Sequence, residues 1–214
     1  MKISSTALRA KRSCASGYRW FARHFDNPAE YQRVLDALVD DGRVDDACWL
    51  LDHFGPVAAV RVVDSISALA LVFAGSLEVR GDLRCGAALS AGGNADIEHD
   101  LEVNGPVRAG KSLRVGGRIV GSDGLQVQHG LRSGGSIRSG LHIDAGWGIV
   151  AGSDIVAEGA IRAGECVVSA GDIEVGEGHG VYAGLSARRD AWPSSGQVRS
   201  KSPPVGLMSG LWVG

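Results

Sequence analysis

Leu113-Arg114-Val115-Gly116-Gly117-Arg118-Ile119-Val120-Gly121-Ser122-Asp123-Gly124-Leu125-Gln126-Val127 repeats one unit of six residues. Each unit opens on a large aliphatic residue, places a smaller residue two positions later, and often follows it with Gly. The frame extends far in both directions. Stepping by six from Leu71 to Leu185 meets Leu, Ile or Val at 18 of 20 positions, with Ala95 and His179 as the exceptions. The position two residues on is small or medium-sized in every unit but the first, where it is Phe73.

Side chains two apart on a strand point to the same side. Each unit therefore reads as a short strand that turns one large and one small residue inward. The following Gly suits a tight corner, because Gly accepts backbone angles that other residues avoid. Strands of this length joined by corners predict a mainly β fold: a three-sided, right-handed parallel β-solenoid in which three six-residue units make one turn. Over residues 71–190 this gives 120/18, or about 6.7 turns, and a rod about 32 Å long at ~4.8 Å per turn. Residues 18 apart should stack. Arg80 over Glu98 and Arg84 over Glu102 are opposite-charge pairs, whereas Arg114 over Arg132 and Asp154 over Asp172 are like pairs. His179 falls on an inward position.

The order large-then-small, as in Ile161-Arg162-Ala163-Gly164 and Leu113-Arg114-Val115-Gly116, resembles bactofilins, polymer-forming cytoskeletal proteins of bacteria. The resemblance covers the repeat region and implies a structural role. Left-handed hexapeptide acyltransferases place the small residue before the large one, and they carry an active-site His and usually a protruding loop. The stretch Gly140–Gly164, with Ala145-Gly146-Trp147-Gly148-Ile149 inside it, also resembles Gly-rich repeat proteins of bacteria and their phages.

Outside the repeat the composition changes. Seven of the twelve aromatic residues lie within residues 1–54. Asn27-Pro28-Ala29-Glu30 has the form of a helix start, with Tyr31, Val34, Leu35, Leu38 and Val39 on one face. A second helix is expected from Val44, stopped by Gly55-Pro56, and an earlier one carries Leu8, Tyr18, Phe21 and Phe25. The chain thus divides into a helical N-terminal cap domain (1–56), a connector with a first strand (57–70), the solenoid (71–187) and a tail (188–214). Trp192, Leu207, Met208, Leu211 and Trp212 in the tail are expected to fold over the last turn or to bind a partner.

Composition narrows the function. Gly is abundant, at 32 of 214 residues, and the net charge is −2. A balance this close to neutral argues against direct nucleic-acid binding. The charge is uneven: residues 140–187 hold Arg162 and seven acids, 1 − 7 = −6, whereas residues 188–214 come to +3. Cys14, Cys48, Cys85 and Cys166 lack the spacing of a metal site and read as reduced thiols. The N-terminus has no apolar signal segment and no run is long enough to span a membrane, so a cytoplasmic location is expected. No hydrolase, zinc-protease, P-loop or dinucleotide motif is present. No catalytic residue, cofactor or metal is expected.

The leading expectation is a non-catalytic scaffold or protein-binding module, with self-association open. The alternatives are an inhibitor, encoded by a phage or mobile element, with an acidic face that imitates nucleic acid, and a divergent hexapeptide acyltransferase. Lys111, His129, Trp147 and Glu165 are 18 apart and should line one edge. Asp144, Asp154, Glu158, Asp172, Glu174 and Glu177 supply acidic groups beside it. The expected partner is a protein with a basic surface.

Overall fold

The structure, a computed structural model, describes residues 1–186 and 195–214. It is a parallel β-solenoid of about eight turns with four helices at its N-terminal end. From Ala95 to Ile173 a three-residue strand begins every six residues. Leu113 pairs with Ala95 on one side and Leu131 on the other. Ile119 lies between Leu101 and Ile137, and Leu125 between Val107 and Ile143. Every partner lies three repeat units along the sequence, so the rod has three faces. They are called first, second and third after the strands that begin at Leu113, Ile119 and Leu125. In the early turns the strands Ile66–Phe73 and Leu83–Ala91 run unbroken round the corner between the second and third faces.

The aliphatic residue of each unit fills the axis of the rod. Leu113, Ile119, Ile137, Ile149 and Ile155 are all 0% exposed. Burying a Leu or Ile side chain contributes about 1.5–3 kcal/mol, and each turn buries three. The smaller inward residue sits beside the corner, where Ser is as acceptable as Val or Ala. Ser133, Ser139 and Ser169 each donate to a carbonyl 16 residues earlier, at 2.7, 2.8 and 2.7 Å. These buried hydroxyls are satisfied, so they carry little penalty.

The corner glycines serve a purpose other than the expected one. Gly116, Gly134 and Gly152 have no positive φ. A Cβ on any of them would lie 2.0 Å from the carbonyl oxygen one turn below. Gly is needed there for the close approach of successive turns.

The rod extends beyond the repeat at both ends. Val60–Val63 pairs with Ser76–Val79, a smaller step than three full units, so the first turn is short. At the other end the six-residue frame stops after Ile173. Ile161 pairs with Val181, where an unbroken frame would supply His179. Gly176 to Gly180 form a turn, with Gly178 at φ 76. His179 is therefore exposed instead of inward, and Leu185 is 51% exposed. The turn lets Val181 take the core position and spares an imidazole from desolvation. The tail then continues the faces: Gln197–Arg199 pairs with Val167–Val168, Leu207–Ser209 with Val181–Tyr182, and Leu211–Trp212 with Gln197–Val198. Val198 is 0% exposed in the rod core. Residues 195–214 are thus part of the solenoid; Trp192 lies outside the described residues.

The helices are α1 (Ser5–Ala10), α2 (Ala15–His24), α3 (Tyr31–Asp40) and α4 (Val44–Phe54). The helix read from Asn27 begins later, at Tyr31. Ala29–Glu30 instead pairs as a short strand with Lys2–Ile3. Asn27 serves α1, accepting the Ser5 N–H at 3.0 Å. The helical core, built on Leu8, Trp20, Phe21, Tyr31, Leu35 and Leu51, also takes in Val72 and Ala74 of the rod. Gln32 fixes this junction. Its amide nitrogen donates to the Val72 carbonyl and its amide oxygen accepts the Ala74 N–H, both at 2.9 Å. One side-chain amide thereby satisfies two backbone groups at the end of the strand Ile66–Phe73. Farther along that end, Val60, Val62 and Leu69 are 57%, 50% and 65% exposed. Among the described residues no helix is long and apolar enough to cross a membrane.

Candidate protein-binding edge

The corner between the third and first faces holds the predicted column. Each member donates its backbone N–H to the carbonyl of the one before: His129 to Lys111 at 3.1 Å, Trp147 to His129 at 3.0 Å and Glu165 to Trp147 at 3.1 Å. The three-unit step does bring these four residues together. His129 and Trp147 lie flat on one another, ring centroids 4.2 Å apart and 5° from parallel. Both are half-buried, while Lys111 is exposed. The aromatic pair makes a fixed ledge whose rotamers are set before any partner arrives.

Glu165 departs from the expectation of an accessible contact. It is only 7% exposed. Its carbonyl accepts N–H groups from both Gly184 and Gly196 at 2.8 Å. The chain leaving the third face and the chain returning to the first face meet at Glu165 and close over it. Both glycines have φ 76, a conformation that lets the backbone come this near.

The acidic residues do not share a face. Asp144 is on the third face, ion-paired to Arg162 at 3.3 Å. Asp154 and Asp172 occupy the corner between the first and second faces, Glu174 the second face, and Glu158 the corner after it. Glu177 is in the turn that displaces the frame, and Glu158, Glu174 and Glu177 are exposed. The chain circles the rod once every three units, so acids close in sequence point in different directions.

The like pairs also resolve. Asp154 accepts the Asp172 N–H at 3.0 Å, and the Ser202 hydroxyl donates to the Asp172 carboxylate. The same ladder recurs elsewhere on the corners. Asn94 accepts the Ser112 N–H at 3.2 Å, Asp100 the Arg118 N–H at 2.9 Å and His142 the Ala160 N–H at 2.9 Å. The residue before each inward aliphatic tends to be a hydrogen-bond acceptor at steps of 18. That signal stands in the sequence, but a search for inward residues passes over it. Arg84 does meet Glu102, at 3.8 Å, but Arg80 turns to Asp64 at 3.5 Å. Arg114 offsets its like neighbour by pairing with Asp96 at 3.7 Å.

Residues 1–54 match the family model of the YdhT N-terminal domain. The match covers the helical domain alone. No curated protein and no solved structure matches the chain.

A groove of about 550 Å³ runs along the first face on the side away from this edge, toward the second face. Glu78, Asp96, Arg114 and Arg132 line it, with Gly116 and Gly134 on its flank. Inside the rod, burial pushes the Cys85 thiol up to about 11, so it stays protonated and unreactive at neutral pH.

Proposed function

We propose that the protein is a non-catalytic scaffold, located in the cytoplasm, whose rod offers a preordered surface to protein partners. The stacked His129–Trp147 ledge carries this reading. A rigid aromatic step next to an exposed lysine loses little side-chain entropy on binding, and Trp is enriched among the residues that dominate interface energies. The strand ladder holds the ledge through main-chain hydrogen bonds at 3.0–3.1 Å on either side, so it cannot relax away from a partner. The acidic-face alternative draws less support, because the acids are spread over different faces and corners and Asp144 is already neutralised by Arg162.

The test uses the whole protein as bait in an extract of its host, followed by calorimetry with each captured partner. Trp147→Ala and His129→Ala should each weaken binding about tenfold or more, as for an interface anchor, without moving the melting temperature by more than a degree or two. A partner held equally by the parent and both variants would rule this edge out.

A further inference from the structure

Along the first face the outward residues of successive turns are Val62, Glu78, Asp96, Arg114, Arg132 and Val150, each in register with the next. The order is apolar, acidic, acidic, basic, basic, apolar. Reversed end to end, it is the same series with every charge inverted. An isologous two-fold contact requires a patch that complements itself in this way.

We propose that two copies of the chain associate antiparallel through their first faces. The proposal deepens the protein-binding reading above by naming a second copy as a partner. The two-fold axis crosses the rod between the levels of Asp96 and Arg114. Asp96 then faces the partner's Arg114, Glu78 faces the partner's Arg132, and Val62 faces the partner's Val150. The corner on the second-face side agrees in size. Toward the second face the column runs Arg80, Glu98, Gly116, Gly134. The axis sets Glu98 over the partner's Gly116 and Arg80 over the partner's Gly134. On the opposite corner the column runs Gly75, Gly93, Lys111, His129; both glycines there are buried, so that flank takes no part in the fit. Long side chains meet bare, exposed backbone on the second-face flank, and the groove along it is open.

The charges stay exposed, with the Arg114–Asp96 pair of each copy shared across the contact. Arg132 has no ion-pair partner among the described residues, and Arg114 is 64% exposed with Asp96 3.7 Å away. The helical domain leaves the face clear: its Asp52 pairs with Arg108 on the third face at 3.7 Å. Six turns at ~4.8 Å and a face about 15 Å wide give roughly 430 Å² per copy, below the ~800 Å² of a standard interface. The dimer is therefore weak, and its exposed ion pairs make it sensitive to salt.

Sedimentation equilibrium over a range of protein and salt concentrations tests this. The parent should self-associate at about 0.05 M salt and do so at least tenfold more weakly at about 0.5 M. The double variant Arg114→Glu/Arg132→Glu should be monomeric, and so should Glu78→Arg/Asp96→Arg. An equimolar mixture of the two should dimerise, because one carries only acids along the column and the other only bases. Combining all four substitutions restores a self-complementary order and should restore the homodimer. Circular dichroism confirms that each variant keeps the fold, and the salt dependence of the parent needs no variant at all. A parent that stays monomeric at low salt overturns the dimer while leaving the Trp147 edge to its own test. Double variants that associate as the parent does, or a mixture that fails to pair, overturn it equally.

Discussion

Gly134→Ala adds one methyl group to a corner closed at glycine distance. The new Cβ would lie 2.0 Å from the Gly116 carbonyl oxygen, and it must retreat to at least 3.0 Å, so the turns must part by about 3.0 − 2.0 = 1.0 Å. Two hydrogen bonds bridge the turns at that point, from Gly134 N–H to Val115 and from Gly135 N–H to Gly117, both at 2.9 Å. Stretched by about 1 Å, both leave hydrogen-bonding range. Their loss costs about 1–3 kcal/mol. Stiffening of the unfolded chain gives back about 0.4–1 kcal/mol. The net loss centres on about 1.3 kcal/mol, about 2 less about 0.7, a fall of roughly 3–5 °C in melting temperature for a chain of this size. Gly130→Ala, four residues earlier, is the control. Its Cβ would meet nothing nearer than 3.8 Å, and its φ is not positive, so only the gain remains and melting should rise by roughly 1–4 °C. Thermal melts followed by circular dichroism compare the two directly. If corner glycines were present for backbone angles alone, both substitutions would be harmless. Equal shifts in the same direction would refute the close-approach argument.

Ile149→Asp puts a carboxylate into a site that is 0% exposed, and should lower stability by about 4 kcal/mol or more; an unchanged urea midpoint would show that the side chain does not point inward. Gln32→Ala removes both hydrogen bonds to the strand edge at Val72 and Ala74. It should cost about 1–3 kcal/mol and speed hydrogen exchange at the Ala74 amide, which would otherwise stay as slow as in the parent. The Cys85 thiol rises from 9.0 to about 11 on folding, so the unfolded chain ionises first. The stability it contributes is whole below pH ~9 and is lost between there and pH ~11, on the order of 3 kcal/mol. Cys85→Ala should flatten that slope in denaturation curves measured across the range; an identical slope in the variant assigns the effect to other groups.

The rod was legible because its rule is local. A pleat of period two and a corner every six residues decide which side chains face inward, and no distant contact can alter that for Leu113, Ile149 or Ile161. The column Lys111–His129–Trp147–Glu165 followed from the same arithmetic. The helix boundary at Asn27 did not follow. Asn27-Pro28 carries a good starting signal, but pairing of Ala29–Glu30 with Lys2–Ile3 overrides it, a contact with no local trace. The acids of residues 140–187 look like one cluster in the sequence and become several in space, because each turn of the rod rotates them apart.

The sequence by itself determined the inward frame, the three-unit turn and a helical domain ahead of the rod. Only the tertiary structure decided where the frame ends. His179 and Leu185 keep the six-residue phase by count, yet the Gly176–Gly180 turn delivers Val181 to the core, because a buried aliphatic is favoured over a buried imidazole. The tail's return at Val198, which shuts Glu165 away, is likewise a pairing across a long stretch of chain, between Val167 and Val198. One end of the first-face series was also decided there. Glu78, Asp96, Arg114, Arg132 and Val150 follow by counting in eighteens, but Val62 joins Glu78 through an offset shorter than a full turn, so the apolar residue that completes the order cannot be read off that way. Period is a property of neighbouring residues, whereas register between turns depends on what the assembled core will accept.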